Sequence, residues 1–401
     1  MTDLLHPTRP RPTDQAVHLR YEKAGLVLPA PPVPWNADAV VVELLAKLPP
    51  AARVRADFAV RVPGREPAPA ELVRKDDDPS GRFRVFFRIP PPQVSTDAEI
   101  LWKHRLLATV PLPVVGPEQF AAGLRLTHPT LAVRVGGQAV PAQTFVAAQC
   151  RGLTAAAVVR SPVGLAPLAE LGLKVLFRAD RGGYEHLVPV PLTGPQLAAR
   201  EALVTATPPK LPRRVGNYAV TWLAGDQVLL AQRAAGVTAK RFVQSLRVSD
   251  ARFAVADKGG TVRPARHAPL AGQADRVGPC FVLASREPGA AAVLPLQVAA
   301  VLPGAVRLPV LLDQTVLITD GPTVVAPGLI AAAELAGLTG FELRYKEQVL
   351  GVLSLSPVPS ANFTAEGAFK PPPDFSWSPT AEDELADRLG KLMGDGPAGP
   401  S

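Results

Sequence analysis

Short runs in which apolar and polar residues alternate dominate the chain and predict β-strands. The clearest run covers residues 82–88, where Phe83, Val85 and Phe87 alternate with polar residues for most of its length. Because successive side chains of a strand point to opposite faces, this spacing places one face on a core. Proline (46 residues) and glycine (32 residues) end such runs after a few residues. The pattern predicts an all-β protein with a few short helices.

The strand-like runs repeat with a period of about 120 residues. The pairs Gly136–Gly137 and Gly259–Gly260 lie 123 positions apart, and the segments beginning at Phe120 and Phe242 lie 122 apart. A large aromatic residue recurs in the same register, and we predict that it anchors the core of each copy. These predicted core anchors are Trp102, Trp222 and Tyr345. The sequence therefore predicts tandem β-sandwich units of an immunoglobulin-like or fibronectin-like kind.

The repeat divides the chain into about two and a half copies with two additional terminal elements. The predicted segments are an N-terminal element with a short helix (1–50), repeat unit 1 (51–165), repeat unit 2 (166–290), a truncated repeat unit 3 (291–365) and a C-terminal tail (366–401). The N-terminal helix is predicted over residues 36–48, from an N-cap candidate and a Pro-Pro stop. One or two helical turns are predicted at 117–124 and 238–246.

Gly-Gly and Asp-Gly pairs between alternating runs predict hairpin turns, because a two-residue hairpin requires positive φ angles. The predicted turns are Gly136–Gly137, Gly182–Gly183, Gly259–Gly260 and Asp320–Gly321. The acidic segment 76–81 offers carboxylates for a calcium ion, yet its Asp, Pro, Ser and Gly residues favour a solvated hairpin loop ahead of the strand at 82–88.

The C-terminal tail combines a proline-rich linker with a short amphipathic helix and an end predicted to be disordered. Leucines and acidic residues in 380–393 follow helical spacing, but so short a helix requires a surface to pack on. One interpretation is docking on the protein's own body, on the truncated third unit. The other is recognition of a partner protein. For the second interpretation the predicted partner-binding residues are Phe375, Trp377, Leu385 and Leu389.

Composition narrows the location and the partners. The formal net charge is +8, which suggests a polyanion partner. The arginines are scattered and interleave with no aromatic cluster, which argues against nucleic acid, and nucleic acid stays an alternative partner because of the net charge. Only two cysteines occur, far apart, as expected for free thiols in a reducing compartment. The N-terminus lacks the apolar core of a signal peptide and no long apolar run occurs, so we expect a cytoplasmic location without membrane contact.

The chain carries no motif for catalysis, metal binding or a cofactor. Phosphate-binding, dinucleotide, nucleophile-elbow and zinc-protease signatures are all missing, and the six histidines are isolated. We therefore predict no cofactor, no metal and no enzymatic activity. The predicted function is a non-enzymatic protein-binding or scaffold protein with an unknown partner. Three alternatives remain open: a nucleic-acid or polyanion binder, an enzyme or ligand-binding module with an unfamiliar site between units, and a cell-envelope component, which would need an export route.

Overall fold

The computed structural model describes residues 16–48, 54–75, 82–181, 183–209, 214–256, 259–265, 268–269, 274–304, 309–355 and 357–358. In these residues the chain forms thirty-one strands and four short α-helices, which confirms the predicted all-β class. The chain divides into two compact units. The first comprises Met1–Thr130, Thr154–Pro208 and Ala219–Gln232, and the second comprises Leu131–Leu153, Pro209–Tyr218 and Arg233–Ser401.

The elements follow one another along the chain in three stretches. The first stretch contains β1 (Ala16–Lys23), β2 (Leu26–Ala30), β3 (Val33–Pro34), β4 (Ala39–Ala46), β5 (Phe58–Arg61), β6 (Ala68–Pro69), β7 (Leu72–Lys75), β8 (Phe83–Ile89), β9 (Thr96–Trp102), β10 (Arg105–Leu112), β11 (Val114–Val115) and α1 (Pro117–Gly123). The second contains β12 (Arg125–Val135), β13 (Gln138–Pro141), β14 (Thr144–Val146), β15 (Gly152–Arg160), α2 (Leu168–Leu171), β16 (Leu173–Ala179), β17 (Glu185–Pro189), α3 (Gly194–Ala198), β18 (Glu201–Ala206), β19 (Gly216–Ala224) and β20 (Gln227–Val237). The third contains α4 (Ala239–Ser245), β21 (Leu246–Ala256), β22 (Val262–Ala265), β23 (Ala268–Pro269), β24 (Arg276–Ser285), β25 (Ala290–Val301), β26 (Val310–Ile318), β27 (Thr323–Val325), β28 (Ile330–Ala331), β29 (Gly340–Tyr345), β30 (Gln348–Ser354) and β31 (Pro357–Val358).

In the first unit, two sheets enclose one core, and we call this body the first sandwich. One sheet has the strand order β2-β1-β4-β8-β7, and the other has the order β10-β9-β5-β6. Tyr21 and Phe87 of the first sheet share the core with Phe58 and Trp102 of the second. The same unit contains the antiparallel ladders β15–β18 and β16–β17.

Two buried side chains, Tyr21 and Lys23, connect the first sandwich to the segment around α2, within the first unit. The hydroxyl of Tyr21 donates a hydrogen bond of 2.6 Å to the carbonyl of Val163. Burial raises the pKa of Tyr21 to about 12. Lys23, also buried, forms an ion pair with Glu170 of α2.

In the second unit, the last sandwich is built from β21 to β30. One sheet has the order β22-β21-β24-β27, with β28 also on β24. In the other sheet β25 pairs with both β26 and β29, and β29 pairs with β30. β14 adds a parallel strand that pairs with both β20 and β25.

The helix predicted over residues 36–48 is wrong, because β4 occupies this segment as a strand. β4 pairs with β1 on one side and with β8 on the other. Val40, Val42 and Leu44 alternate into the core, and β-branched residues suit such a central strand better than a helix. Residues 16–46 therefore form part of the first sandwich instead of a separate N-terminal element.

The predicted boundary at residue 290 falls inside a single hydrophobic core. Phe253 and Phe281 precede this boundary, whereas Leu294 and Phe341 follow it, and all four belong to the core of the last sandwich. The ring centroids of Phe253 and Phe341 lie 6.2 Å apart. The segment 291–365, interpreted from the sequence as a truncated unit, thus shares one core with strands that precede it.

Positions aligned by the repeat occupy corresponding elements. Phe120 in α1 and Phe242 in α4 are both buried, and both short helices confirm the predicted helical turns. The aligned glycine pairs lie in the β12–β13 and β21–β22 hairpins. The repeat itself stays a prediction from the sequence.

The four predicted hairpin turns have different outcomes. At Gly136–Gly137 the two-residue turn is confirmed, with φ angles of 56° and 84° between paired Val135 and Gln138. The hairpins β16–β17 and β21–β22 form with longer loops. The turn at Asp320–Gly321 is wrong as a hairpin, because β26 pairs with β25 while β27 pairs with β24 in the other sheet. The acidic segment 76–81 lies outside the described residues, between the paired strands β7 and β8.

Candidate functional site

The most distinctive polar surface lies on the outward side of the five-stranded sheet of the first sandwich. Strand alternation turns the core residues of β1, β4 and β8 inward and their polar residues outward. Across the sheet, Glu43 of β4 lies opposite His18 of β1 and Phe86 of β8, and Phe86 lies opposite Leu72 of β7. We call this surface the arginine face. Its members are Arg20, Glu43, Leu72, Arg74, Arg84, Phe86 and Arg88.

A buried carboxylate organises the centre of the arginine face. Glu43 is only 1% exposed, although it points away from the core. Arg84 Nη1 donates to Glu43 Oε1 at 2.7 Å, and Arg20 Nη2 lies 3.5 Å from Oε2. Each carboxylate oxygen therefore faces one guanidinium group. A buried charge is costly unless it is paired in this way, so Glu43 fixes the positions of both arginines.

Two further arginines extend the face along β7 and β8. The guanidinium carbon of Arg74 lies 5.3 Å from the ring centroid of Phe86, a cation–π distance. Arg88 donates to Glu22 of β1 through Nε at 3.0 Å and Nη2 at 2.7 Å. This hydrogen bond, together with the charge of Glu22, raises the pKa of Arg88 above its usual range.

The face combines positive charge with exposed apolar surface. Its four arginines outnumber the two glutamates, Glu22 and Glu43, that pair with them. Leu72 is exposed beside Phe86. Guanidinium groups with fixed geometry bind carboxylates in a bidentate manner, and arginine and aromatic residues are enriched where proteins bind each other. Chemically, this surface suits an acidic ligand that also carries apolar groups.

The predicted core anchors and the predicted partner-binding residues have different outcomes. Trp102 and Trp222 are buried in strands β9 and β19, whereas Tyr345, at the end of β29, is only partly buried. The predicted partner-binding residues Phe375, Trp377, Leu385 and Leu389 lie outside the described residues.

Sequence reasoning missed the arginine face because its members come from four strands. The alternation of residues 82–88 signals the outward arginines of β8. Glu43, however, falls in the segment predicted as a helix, so nothing in the sequence placed it beside Arg20 and Arg84. Only the registers of β4 with β1 and β8 bring the three side chains together.

Two open clefts in the first unit offer little catalytic chemistry. One has a volume of about 470 Å³ between β1, β2 and β10, and His18 and Arg20 are its ionisable lining residues. The other, of about 420 Å³, lies beside α2 and has only Lys174 as an ionisable lining residue. In the described residues no group of three or more His, Cys, Asp or Glu side chains could hold a metal ion. Within the same residues, no helix is long and apolar enough to cross a membrane.

Both cysteines are buried thiols, and the burial of Cys280 predicts that the stability of the protein depends on alkaline pH. Burial raises the pKa of the Cys280 thiol to about 11 from 9.0. Below pH 9 the thiol is neutral in both states, whereas between pH 9 and 11 it ionises only in the unfolded chain. We therefore expect the free energy of unfolding to fall by about 2–3 kcal/mol over this range.

Urea unfolding at stepped pH measures this fall. Cys280→Ala should remove the part that begins near pH 9, while the part due to Tyr21, which begins near pH 10, should persist. Identical pH profiles for the two proteins would contradict the assignment to Cys280.

Comparisons with known proteins identify no family. No family model matches the chain, and no curated protein matches it. Among solved structures, the chain is similar to a "putative membrane anchored protein" from Corynebacterium diphtheriae. That similarity has 11% sequence identity and a TM-score of 0.19, and covers 90% of this chain and 100% of the other. A similarity at this level carries no argument about function.

Proposed function

We propose that this chain is a non-enzymatic protein-binding scaffold of tandem β-sandwiches, immunoglobulin-like or fibronectin-like in kind, and that the arginine face contacts its partner. The proposal rests on the burial and pairing of Glu43. This side chain is only 1% exposed although it lies on the outward side of a sheet, and it pairs with two arginines. A paired charge of this kind contributes little net stability, so its value lies in holding the guanidinium groups in place. Preorganised side chains lose less entropy on binding.

A protein partner fits the face better than a nucleic acid. Polyanion binding draws on basic side chains that meet successive phosphates, and here Arg20, Arg84 and Arg88 already pair with glutamates. The exposed Leu72 and the Arg74–Phe86 stack add apolar contact area. Such area contributes to protein interfaces and not to phosphate contacts. The proposed partner surface is therefore acidic and partly apolar.

The cytoplasmic location belongs to the same proposal. Its support is the small number of cysteines, two buried thiols far apart in the sequence, which suit a reducing compartment. Phe375 and Trp377 stay predicted partner anchors in the tail, in addition to the arginine face.

Affinity capture with matched charge reversals tests the proposal. Three full-length proteins are immobilised: the wild type, Arg74→Glu and Arg178→Glu. Each is exposed to lysate of the source organism, and the retained protein and nucleic acid are quantified separately. Arg178 is a suitable control because it is a highly exposed arginine on β16, outside the arginine face. We expect a protein retained by the wild type and Arg178→Glu, and reduced roughly tenfold by Arg74→Glu, the factor for 1.4 kcal/mol.

Two outcomes would count against the proposal. Equal retention by all three proteins would exclude the arginine face as the contact surface. Recovery of nucleic acid alone, lost steeply with added salt, would favour the polyanion alternative.

A further inference from the structure

The last sandwich exposes apolar side chains on an edge strand. β30 pairs with β29, and in the described residues no strand pairs with its other side. Val349 and Val352 of β30 are 41% and 55% exposed. Sheet edges with exposed apolar residues are normally covered, because they otherwise template pairing with other chains.

Positive charge collects at the end of the last sandwich where β30 begins. A Cβ atom added to Gly351 would lie 2.5 Å from Val248 Cγ2, so β30 packs closely on the start of β21. The start of β21 pairs with the end of β24, and the backbone N–H of Arg286 donates to the carbonyl of Ser245 in α4 at 2.9 Å. The exposed cations at this end are Lys240, Arg241, Arg247, Arg286 and Lys346.

These five cations, which we call the basic rim, outnumber the exposed acidic residues beside them. In the described residues none of the five forms an ion pair, whereas the neighbouring Arg344 pairs with Glu342. The exposed acids beside the rim are Glu287 and Glu347. The rim thus differs from the arginine face, where three of four arginines pair with one of two glutamates. It retains a net positive charge that an acidic segment can offset.

We propose that residues 380–393 of the same chain dock on β30 and the basic rim. This segment carries Glu382, Asp383, Glu384 and Asp387, with Leu385 and Leu389 at helical spacing. Its leucines complement Val349 and Val352, and its carboxylates complement the rim. The chain leaves the last sandwich at β31, directly after β30.

The connecting residues 359–379 are long enough for this contact. A coil of twenty-one residues has an end-to-end distance of roughly 25 Å, and proline-rich chains of that length reach farther. β30 itself is roughly 20 Å long. The segment can therefore reach the start of β30 from β31. Docking covers the exposed edge of β30.

Thiol labelling of the full-length chain tests the docking. Cys150 and Cys280 are buried, so a maleimide reports on an introduced Val352→Cys. The labelling rate of this variant is compared with that of the same variant carrying Leu385→Asp and Leu389→Asp. We expect the tail substitutions to accelerate labelling at least about tenfold, which corresponds to 1.4 kcal/mol of docking free energy. Equal rates would overturn the proposal.

A charge swap tests the contact with the basic rim, and a second labelling position serves as a control. Arg247→Glu should also accelerate labelling of Val352→Cys, and adding Glu382→Lys and Glu384→Lys should restore protection. Leu203→Cys, at a site 64% exposed on β18, should label at the same rate with either tail. Protection that increases with protein concentration would show a tail from a second copy and would overturn docking within one chain.

Discussion

Replacing Trp222 by alanine is expected to lower the free energy of unfolding by about 3–5 kcal/mol. The side chain is completely buried, and its indole Nε1 donates to Gln232 Oε1 at 3.4 Å. Alanine leaves a large cavity that neighbouring strands cannot fill without moving. Trp102→Ala should cost a similar amount, since Trp102 is 2% exposed in the core of the first sandwich. Urea unfolding followed by circular dichroism measures both losses.

The surface residue Leu203 provides the matched control for these substitutions. It is 64% exposed, so Leu203→Ala should change the free energy of unfolding by less than about 0.5 kcal/mol. A loss below about 1 kcal/mol for both tryptophan variants would contradict their role as core anchors. A loss at only one would show that the aligned aromatic positions are not energetically equivalent.

Structural features that depend only on a few neighbouring residues could be predicted from the sequence. The Gly136–Gly137 turn follows from the need for two positive φ angles, and the helical turns at α1 and α4 follow from their local patterns. The strand at 82–88 follows from alternation alone. In each case the physical cause lies in neighbouring residues, so no knowledge of the rest of the chain is required.

Features decided by pairing between distant strands could not be predicted. Segment 39–46 lies between an N-cap candidate and a Pro-Pro stop, which are typical of a helix. Hydrogen bonds to β1 and β8 and burial on both faces make it a strand instead. Asp320–Gly321 has the composition of a hairpin turn, yet its flanking strands belong to different sheets. Local preferences of well under 1 kcal/mol per residue are overridden by such packing.

The boundaries between sandwiches illustrate a more general limit. A repeat defines a period, but it does not define the residue at which a folded body begins, because any starting residue gives an equally good match. The core of the last sandwich joins Phe253 and Phe281 to Leu294 and Phe341 across the boundary predicted at residue 290. Only side-chain contacts between sheets decide which strands share a core. The same limit applies to Glu43 and its two arginines.

Replacing Gly278 by alanine is expected to cost about 1–3 kcal/mol, the range for an overpacked site. Gly278 lies in β24, and a Cβ atom there would overlap the backbone carbonyl oxygen of Gly328. The segment containing Gly328 and Leu329 crosses the outward side of this sheet, and Leu329 packs on the pair Ala254 and Cys280. Because a backbone carbonyl cannot move as a flexible side chain does, the crossing segment must shift as a whole.

Gly278→Ala should therefore expose Cys280 as well as destabilise the fold. The thiol is 2% exposed, so its reaction with an alkylating agent requires the crossing segment to move away. We expect alkylation of the native protein to accelerate roughly fivefold or more, as a loss of about 1 kcal/mol in local stability implies. Gly321→Ala is the control, because a Cβ atom at that position meets nothing within 4 Å. If both variants retain the unfolding free energy and the slow alkylation of the wild type, the close crossing at Gly278 does not constrain this sheet. A lower free energy of unfolding with unchanged alkylation would likewise contradict it, since the same backbone contact is argued to govern both.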